Sequence, residues 1–401
     1  MHNKACLIAA VVAIALLFSS LAVAEEAKPE WGLAGGLGLT MMDDDFFIST
    51  SLYPDLSVGK LGVGLELTLN ISKDGIRKED WQPWNKALAN SIRYVRWGNK
   101  GEPVYVKLGE LNAHDVGTGI LVGNYTNRSA ADINTGSRKL GLVGDVDFGI
   151  VGVETLVNDF ATCSLIAGRA YIHPTRMVPA LSKLDKLTIG VSWARDKRTA
   201  DPFSGLQGSA IDAMLPLSSN MLLYAHKASL SDTSGNLGSG MGAGLRGGFG
   251  PISFLAEIRK MDAGFVPSPF SKSYEQVGLR AGLPATQGYL LGVGLSVAKG
   301  DLVVGLQQEF NALAANKNPC ITGSLQLKGE FIKAFTGGRP AELAADYTKE
   351  LTQGGSNAYL KANAKVGLMR GAYFNFDFDA VIDPTNKINH RTSGGVVFGS
   401  M

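Results

Sequence analysis

Apolar and polar side chains alternate with a period of two along many stretches of this chain. Between residues 61 and 70, every odd-numbered position holds an aliphatic residue and every even-numbered position holds Gly, Glu, Thr or Asn. Between residues 372 and 380, three phenylalanines alternate with Asn and Asp. Because successive side chains of a strand point to opposite faces, each stretch is predicted to be a strand with one apolar and one polar face.

Further alternating stretches follow one another along most of the chain. They are 104–109, 187–194, 252–259, 277–283, 289–297, 302–309, 321–331 and 360–368. A soluble β-sandwich or another secreted β-rich protein also shows alternation. Sandwich domains, however, contain only about 100 residues, and no linker divides this sequence. One closed barrel leaves no strand edge unpaired, so the expected fold is all-β, a closed antiparallel transmembrane β-barrel.

The first residues have the features of an export signal. Lys4 is followed by the uncharged stretch Ala5–Phe18, which is too short to span a membrane but suits a signal peptide. The triplet Ala22-Val23-Ala24 fits a cleavage site. We therefore expect residues 1–24 to be a cleaved signal peptide and residues 25–401 to form a single transmembrane barrel in the bacterial outer membrane. A retained N-terminal anchor is the alternative.

The charge balance gives no sign of a nucleic-acid partner. Lys and Arg total 38, and Asp and Glu total 36, so the chain lacks the basic excess of such proteins. No apolar segment outside the signal is long enough for a spanning helix, so a membrane location would require a closed barrel. Cys163 and Cys320 remain after cleavage; two free thiols are favoured over a bridge.

The length predicts the size of the barrel. A spanning strand takes roughly 9–11 residues, and the alternating stretches recur at intervals that predict about 16–18 strands, with 14 and 20 left open. A barrel of this size has room for an aqueous channel. Three connections are long, namely Ser72–Asn90, Asn112–Ser137 and Asp262–Ser273. We expect Ser72–Asn90 to constrict or plug the barrel if it folds inward and to contact partners if it projects outward.

No residue pattern indicates an enzyme. His114 and Asp115 are adjacent, but no nucleophile motif lies nearby, and a solvated loop pair explains them better. The acidic turn at 43–45 needs no bound Ca²⁺ to explain it. We therefore expect no catalytic residue, no metal site and no cofactor.

Charged residues on the polar faces of the strands are the candidates for lining a pore. They either set ion preference or form salt bridges that stiffen the wall, and both interpretations remain open. The candidates are Glu257, Arg259, Arg280, Lys328, Glu330, Lys361, Lys365, Asp377 and Asp379.

The N-terminal half resembles a group of bacterial proteins. The resemblance rests on Phe46–Ile48, Leu56–Leu65, Lys78–Trp81, Ile92–Gly98 and Pro103–Gly109, and it continues through Arg138–Leu142 and Asp145–Val153. These segments resemble uncharacterised, porin-like outer-membrane β-barrel proteins. The resemblance implies location and fold but no catalytic residue. One departure is the C-terminus, because many such barrels end in an aromatic residue, whereas here Phe398 is followed by three more residues.

The expected function is passive diffusion of small polar solutes through a porin-like channel whose lumen charges and constricting loop set the preference. The alternatives are a closed or plugged barrel with a structural, adhesive or surface-interaction role, and a transporter of apolar ligands with an internal hatch. The expected partners are membrane lipid, lipopolysaccharide and, during biogenesis, the barrel-insertion machinery. The oligomeric state is left open.

Overall fold

The computed structural model describes most of the chain. The described residues are 30–42, 45–128, 138–177, 184, 186–200, 203–272, 274–277, 285–297, 302–311, 320–328, 332, 340–352, 355–369, 372–382 and 387–398. The signal-peptide prediction for residues 1–24 falls outside them, as do two of the three residues of the acidic turn at 43–45.

Strands make up most of the described chain. The strands are β1 (Glu30–Met42), β2 (Asp45–Val58), β3 (Leu61–Leu65), β4 (Leu67–Ser72), β5 (Gly75–Ile76), β6 (Ile92–Trp97), β7 (Val104–Gly109), β8 (Gly141–Asp147), β9 (Val151–Val157), β10 (Leu165–Ile172), β11 (Thr188–Asp196), β12 (Thr199–Ala200), β13 (Phe203–Ser204), β14 (Gln207–Ser218), β15 (Met221–Asp232), β16 (Gly235–Phe249), β17 (Ile252–Met261), β18 (Thr286–Val297), β19 (Leu302–Asn311), β20 (Cys320–Lys328), β21 (Ala341–Thr352), β22 (Gly355–Met369), β23 (Ala372–Ile382) and β24 (Ile388–Phe398). The helical segments are Lys78–Asp80, Trp84–Ser91, Pro174–Arg176 and Tyr274–Val277.

The strands form a closed antiparallel barrel of 20 strands. Strands that follow one another in the barrel wall are hydrogen-bonded neighbours, and β24 closes the barrel by pairing with β1 from Gly35↔Phe398 to Met42↔Arg391. β3 and β4 together occupy one position in the wall, because both pair with β2. β5 and the small β12–β13 hairpin lie outside this count. The predicted all-β barrel is therefore confirmed.

The number of strands is higher than the predicted 16–18. Several long strands are joined by only two residues, as between Ser218 and Met221 or between Phe249 and Ile252. Each strand and its connection therefore use fewer residues than the sequence pattern suggested, and the same length closes with two more strands. The total remains even, as is usual for bacterial barrels.

Two predicted strands differ in detail. The continuous alternation from 61 to 70 is interrupted at Glu66, whose backbone N–H donates to the Ser91 carbonyl at 2.8 Å instead of to a neighbouring strand. Val277, predicted to begin a strand, belongs to the short helix Tyr274–Val277. Tyr274 and Glu275 of this helix are held by hydrogen bonds to groups inside the barrel, and these contacts have no counterpart in the local sequence pattern.

Large apolar side chains cover the outer face of the wall. Ile189, Val191 and Trp193 of β11 are exposed, whereas the residues between them are buried. On β23, Phe374 and Phe376 are exposed and Asp379 is buried. The alternation predicted from the sequence therefore places apolar residues outside and polar residues inside. Among the described residues, no helix has both the length and the apolar composition to cross a membrane.

Cys163 is disulfide-bonded, so the prediction of a free thiol is wrong at this position. It lies in the short connection between β9 and β10, in a left-handed conformation with φ 46°.

Candidate functional site

Two long connections fold into the barrel. Inner loop 1 joins β7 to β8 and is described over residues 110–128 and 138–140; inner loop 2 follows β17 and is described over residues 262–272 and 274–277. The two loops are hydrogen-bonded to each other: Ser268 N–H donates to the Ile120 carbonyl at 2.8 Å, and Gly123 N–H donates to the Phe270 carbonyl at 3.1 Å. The two inner loops therefore form one packed unit inside the barrel, which we call the loop body.

Apolar side chains of both loops are removed from water inside the barrel. Leu111, Val122, Tyr125, Phe265 and Phe270 are at most 1% exposed. They pack against inward-facing apolar residues of the wall. These wall residues are Val143, Leu156, Leu165, Ala167, Ala194, Ala210, Ala228, Leu230 and Met261. All lie on β8 to β17, so the loops fill that side of the barrel with an apolar core.

A layer of charges lies beneath the tip of inner loop 1. Arg169 on β10 pairs with Glu154 at 2.6 Å and with Asp212 at 2.5 Å. Glu154 also accepts a hydrogen bond from the Gly117 N–H at 2.9 Å. Gly117 has φ +58°, and a Cβ there would lie 2.9 Å from Arg169 Cδ and from Asp212 Oδ2. Only glycine fits this close approach, which fixes the tip against the wall.

A buried carboxylate joins the two inner loops to a third connection. Glu275 of inner loop 2 is fully buried and accepts hydrogen bonds from Tyr125 Oη at 2.5 Å and from Arg198 Nη1 and Nη2 at 2.8 Å. Lys139 Nζ lies 3.2 Å away. Burial raises the pKa of the Glu275 carboxyl, but Arg198 and Lys139 outweigh burial, so the pKa lies below its usual value. Glu275 is therefore a charged anchor of the loop body.

The connection Ser72–Asn90 does not supply the inward-folded core. Its helix Trp84–Ser91 leaves Trp84 76% exposed, and the connection touches inner loop 1 through Arg138, whose N–H donates to Asn90 Oδ1 at 2.9 Å. Arg138 also pairs with Glu66 at 2.5 Å and with Glu110 at 3.1 Å. Inner loops 1 and 2 instead supply the apolar side chains that are buried inside the barrel.

Two adjoining cavities remain between the loop body and β15–β21. The larger has a volume of about 490 Å³ and is bounded by Ser253, Ser324 and Asp346 among others. The smaller has a volume of about 240 Å³ and is bounded by His226, Glu257 and Glu309 among others. Most of these side chains are polar, in contrast to the apolar core on the other side of the loop body. The two cavities are polar spaces inside the barrel.

Two of the predicted pore-lining residues bound the smaller cavity. Arg259 on β17 pairs with Glu257 on the same strand at 2.7 Å and with Glu309 on β19 at 2.6 Å. Tyr224 Oη donates to Glu257 at 2.7 Å. The charges of Glu257 and Arg259 are thus compensated by neighbouring side chains, as in a salt-bridge network that stiffens the wall.

The predicted residues of β22 and β23 lie on the inner face. Lys361 and Asp379 are opposite each other in the backbone register of the two strands. Asp379 accepts a hydrogen bond from Arg128 of inner loop 1 at 3.0 Å. Asp377 accepts from Asn363 at 2.6 Å. Lys365 lies 3.6 Å from Glu342. None of these four residues bounds the two cavities.

The other predicted candidates are described only in part or not at all. Lys328 is the last residue of β20, where its backbone pairs with Glu342. Arg280 and Glu330 lie outside the described residues. A role in lining a pore stays a prediction for all nine candidates.

Five residues that the sequence analysis did not name as pore-lining candidates line both cavities. They are Asn124, Arg246, Leu255, Lys272 and Gln307. Arg246 lies in the glycine-rich strand β16, where alternation is weak, and Asn124 and Lys272 lie in the inner loops. The signal that could have identified the loops is the group of apolar residues within otherwise polar connections, such as Val116, Ile120 and Phe265.

The structure modifies the expectations about possible chemistry. His114 is buried and its backbone pairs with Tyr125, so the expected solvated His-Asp pair is wrong for His114. Burial, together with the positive charges of Lys107 and Lys100, lowers the pKa of the His114 imidazole to about 4. Within the described ranges, no three His, Cys, Asp or Glu residues are grouped so that they could hold a metal ion.

No protein-family model matches this chain, and no curated protein matches it. Among solved structures it is similar to a triple mutant of the Rhodopseudomonas blastica porin, with 10% sequence identity, a TM-score of 0.30, and coverage of 93% of this chain and 100% of that chain. It is also similar to Pseudomonas aeruginosa OccK11 (OpdR), with 10% identity, a TM-score of 0.38, and coverage of 94% and 98%.

Proposed function

We propose that this protein is an outer-membrane channel in which two inner loops leave a narrow polar path for small solutes. The solutes would cross by diffusion, without chemical change. The observation that carries the proposal is the pair of adjoining polar cavities of about 490 and 240 Å³ between the loop body and β15–β21.

The outer face supports a membrane location. Large apolar side chains project outward from strands in all parts of the wall, including Leu37, Ile211, Ile258, Leu306 and Phe376. Soluble monomers rarely expose apolar patches beyond a few hundred Å². A barrel whose lipid-facing residues alternate with polar inner residues is the arrangement that spans an outer membrane.

The inner face supports a selective path rather than a wide pore. A barrel of 16–18 strands already encloses an aqueous channel, and this one has 20 strands. The apolar core formed by the inner loops removes much of that space. Solutes would then pass along the side of the lumen where the wall is polar, and loop side chains would set size and charge preference.

The charged residues predicted from the sequence belong to this proposal in two ways. Glu257 and Arg259 bound the smaller cavity and would contact solute directly. Lys361, Lys365, Asp377 and Asp379 lie further round the inner wall, where they would act through the field of the lumen. Arg280, Lys328 and Glu330 remain candidates without a described side chain.

Single-channel recording in planar bilayers tests the proposal. The mature chain should give discrete conductance steps that are small for a 20-stranded barrel, because the loop body occupies much of the cross-section. The control is the same protein boiled in detergent before reconstitution, which should give no steps. A correctly inserted barrel without conductance would instead favour the closed, structural or surface-interaction role.

A further inference from the structure

The two lumen cavities meet at a junction made by residues that bound both of them. We call this set the junction, and its members are Asn124, Arg246, Leu255, Lys272 and Gln307. Two members are cations, two are amides and one is apolar. No acidic residue bounds both cavities. A solute that moves from one cavity to the other therefore passes positive charges and amide groups.

The guanidinium of Arg246 is not engaged by an acid. It lies over the ring of Tyr224, 5.7 Å from the ring centroid. Across the described residues, no hydrogen bond or ion pair to its guanidinium is present, and the same holds for the side-chain amides of Asn124 and Gln307. Arg246 and Gln307 are half-buried, and half-buried polar groups normally have partners. Here their hydrogen-bonding capacity is directed to the lumen.

Lys272 adds a second positive charge from the opposite side. It comes from inner loop 2, and its Nζ lies 5.1 Å from the centre of the Tyr359 ring and 3.8 Å from Asp346. The Asp346 side chain is 48% exposed, so this pair is loose and water-accessible. Such a pair contributes little stabilisation, and the ammonium group can exchange its partner.

The acidic residues nearest to the junction are occupied. Glu257 accepts hydrogen bonds from Tyr224 and Arg259, and Glu309 accepts one from Arg259. Asp115 accepts a hydrogen bond from the Asn124 backbone N–H at 2.6 Å. Among the described residues, Asp346, the acid of the larger cavity, has only the loose contact with Lys272. The charged residues that line both cavities are Arg246 and Lys272, so the charges at the junction itself are positive.

We propose that the junction is an anion site that binds small oxyanions, such as a carboxylate or a phosphate, and makes the channel prefer anions. This inference rests on the proposed channel function and names the class of solute that the channel takes. An oxyanion suits the site because a guanidinium fork and amide N–H groups supply directed donors, while the ammonium of Lys272 supplies a mobile charge.

The test compares charge removal at the junction with the same change on the outer face. Reversal potentials are measured across a KCl gradient for the wild type, Arg246→Gln, Lys272→Gln and the double variant. The wild type should prefer chloride over potassium. Each single variant should lower the chloride-to-potassium permeability ratio by about two- to tenfold, and more at low salt.

Two variants serve as matched controls. Arg195 on β11 and Lys227 on β15 are exposed on the outer face, so Arg195→Gln and Lys227→Gln remove the same charges without touching the lumen. Their permeability ratios should equal that of the wild type. Every variant is first shown to fold by its unheated gel mobility. A control that lowers selectivity as much as the junction variants would overturn the inference.

Oxyanion binding has its own readout. Acetate and phosphate, each added separately at constant chloride, should reduce the wild-type current, and the reduction should be lost in Arg246→Gln. A block by one and not the other identifies the preferred oxyanion. Conductance steps that show no anion preference and no block by acetate or phosphate would overturn the anion site at the junction but not the channel function. Absence of any conductance would overturn the proposed channel function. In that case, acetate and phosphate are titrated into the detergent-solubilised protein in a calorimeter. Absence of any heat of binding would then overturn the anion site at the junction.

Discussion

At the scale of single residues, buried charges hold loops that are far apart in sequence. Glu275 contacts Tyr125, Lys139 and Arg198, which come from two other connections. Arg198 in turn pairs with Asp196 at 2.5 Å, and Tyr274 donates to Asp196 at 2.8 Å. Removing one member of such a buried set leaves the remaining charges uncompensated.

Replacing Glu275 with Gln should loosen the loop body. Arg198 and Lys139 would lose their shared carboxylate, at a cost of up to about 3 kcal/mol. Hydrogen exchange of the amides between residues 111 and 127 should become faster, and channel current should become noisier. Glu79→Gln, which changes an exposed acid of the segment Lys78–Asp80, is the control. Unchanged exchange in Glu275→Gln would show that the apolar core alone holds the loops.

The same loop body should respond to acid. The pKa of His114 is lowered to about 4, whereas an unfolded histidine titrates near 6.5. Because the released loop binds the proton more strongly, the packed state loses stability as pH falls from about 6.5 towards 4. Glu275, whose pKa is also lowered, contributes stability that is lost below about pH 4.3. Hydrogen exchange of inner loop 1 between pH 8 and pH 4 measures this; His114→Gln should remove the upper part of the transition.

At the scale of elements, each strand separates an outer apolar face from an inner polar face. β23 illustrates this, since Phe376 is exposed outside and Asp377 and Asp379 lie inside. Its neighbours β22 and β24 pair with it along nearly its full length. A substitution on the outer face of a strand should therefore affect insertion into the membrane, whereas a substitution on the inner face should affect the lumen.

Phe376→Arg should impair insertion. A cation on the lipid face costs about 2–4 kcal/mol near the bilayer midplane. The fraction of protein recovered as a folded barrel from vesicles should fall accordingly, while Phe376→Leu should insert normally. Equal insertion of both variants would mean that this position lies at the membrane boundary or outside the lipid.

Inner loops 1 and 2 form a second kind of element, because their residues have no period and are stabilised by mutual contact. Replacing residues 262–277 by a short Gly-Ser linker removes Phe265, Phe270 and Glu275 together. Single-channel conductance should rise, since the apolar core of inner loop 1 loses its partner. A linker of the same composition in place of 233–234, the tight turn between β15 and β16, should leave conductance unchanged. Equal conductance in both variants would show that inner loop 2 does not narrow the path.

At the scale of the whole molecule, closure between β1 and β24 makes all ladder hydrogen bonds mutually dependent. No edge strand remains in the wall from which unfolding could begin. The folded barrel should therefore resist detergent until heated. An unheated sample should migrate differently from a boiled sample on a denaturing gel, and recovery of the protein in soluble form would contradict the proposed membrane location.

The alternation of side chains was sufficient to predict the all-β fold, the strand faces and the closed barrel. This is because the two-residue period is a local property of extended backbone. It correctly placed Phe374 and Phe376 outside and Asp379 inside. The number of strands was underestimated, since it depends on turns of two residues that composition does not reveal.

The interior was decided by the tertiary structure alone. The apolar residues of inner loop 1, such as Leu111 and Tyr125, follow no period, so the sequence shows no face for them. Arg128 and Asp379 form a pair across 251 positions. Arg246 of β16 and Lys272 of inner loop 2 line the same two cavities only because the loop folds into the barrel. Local sequence determines which way a strand's side chains point; barrel closure determines which distant groups then share the lumen.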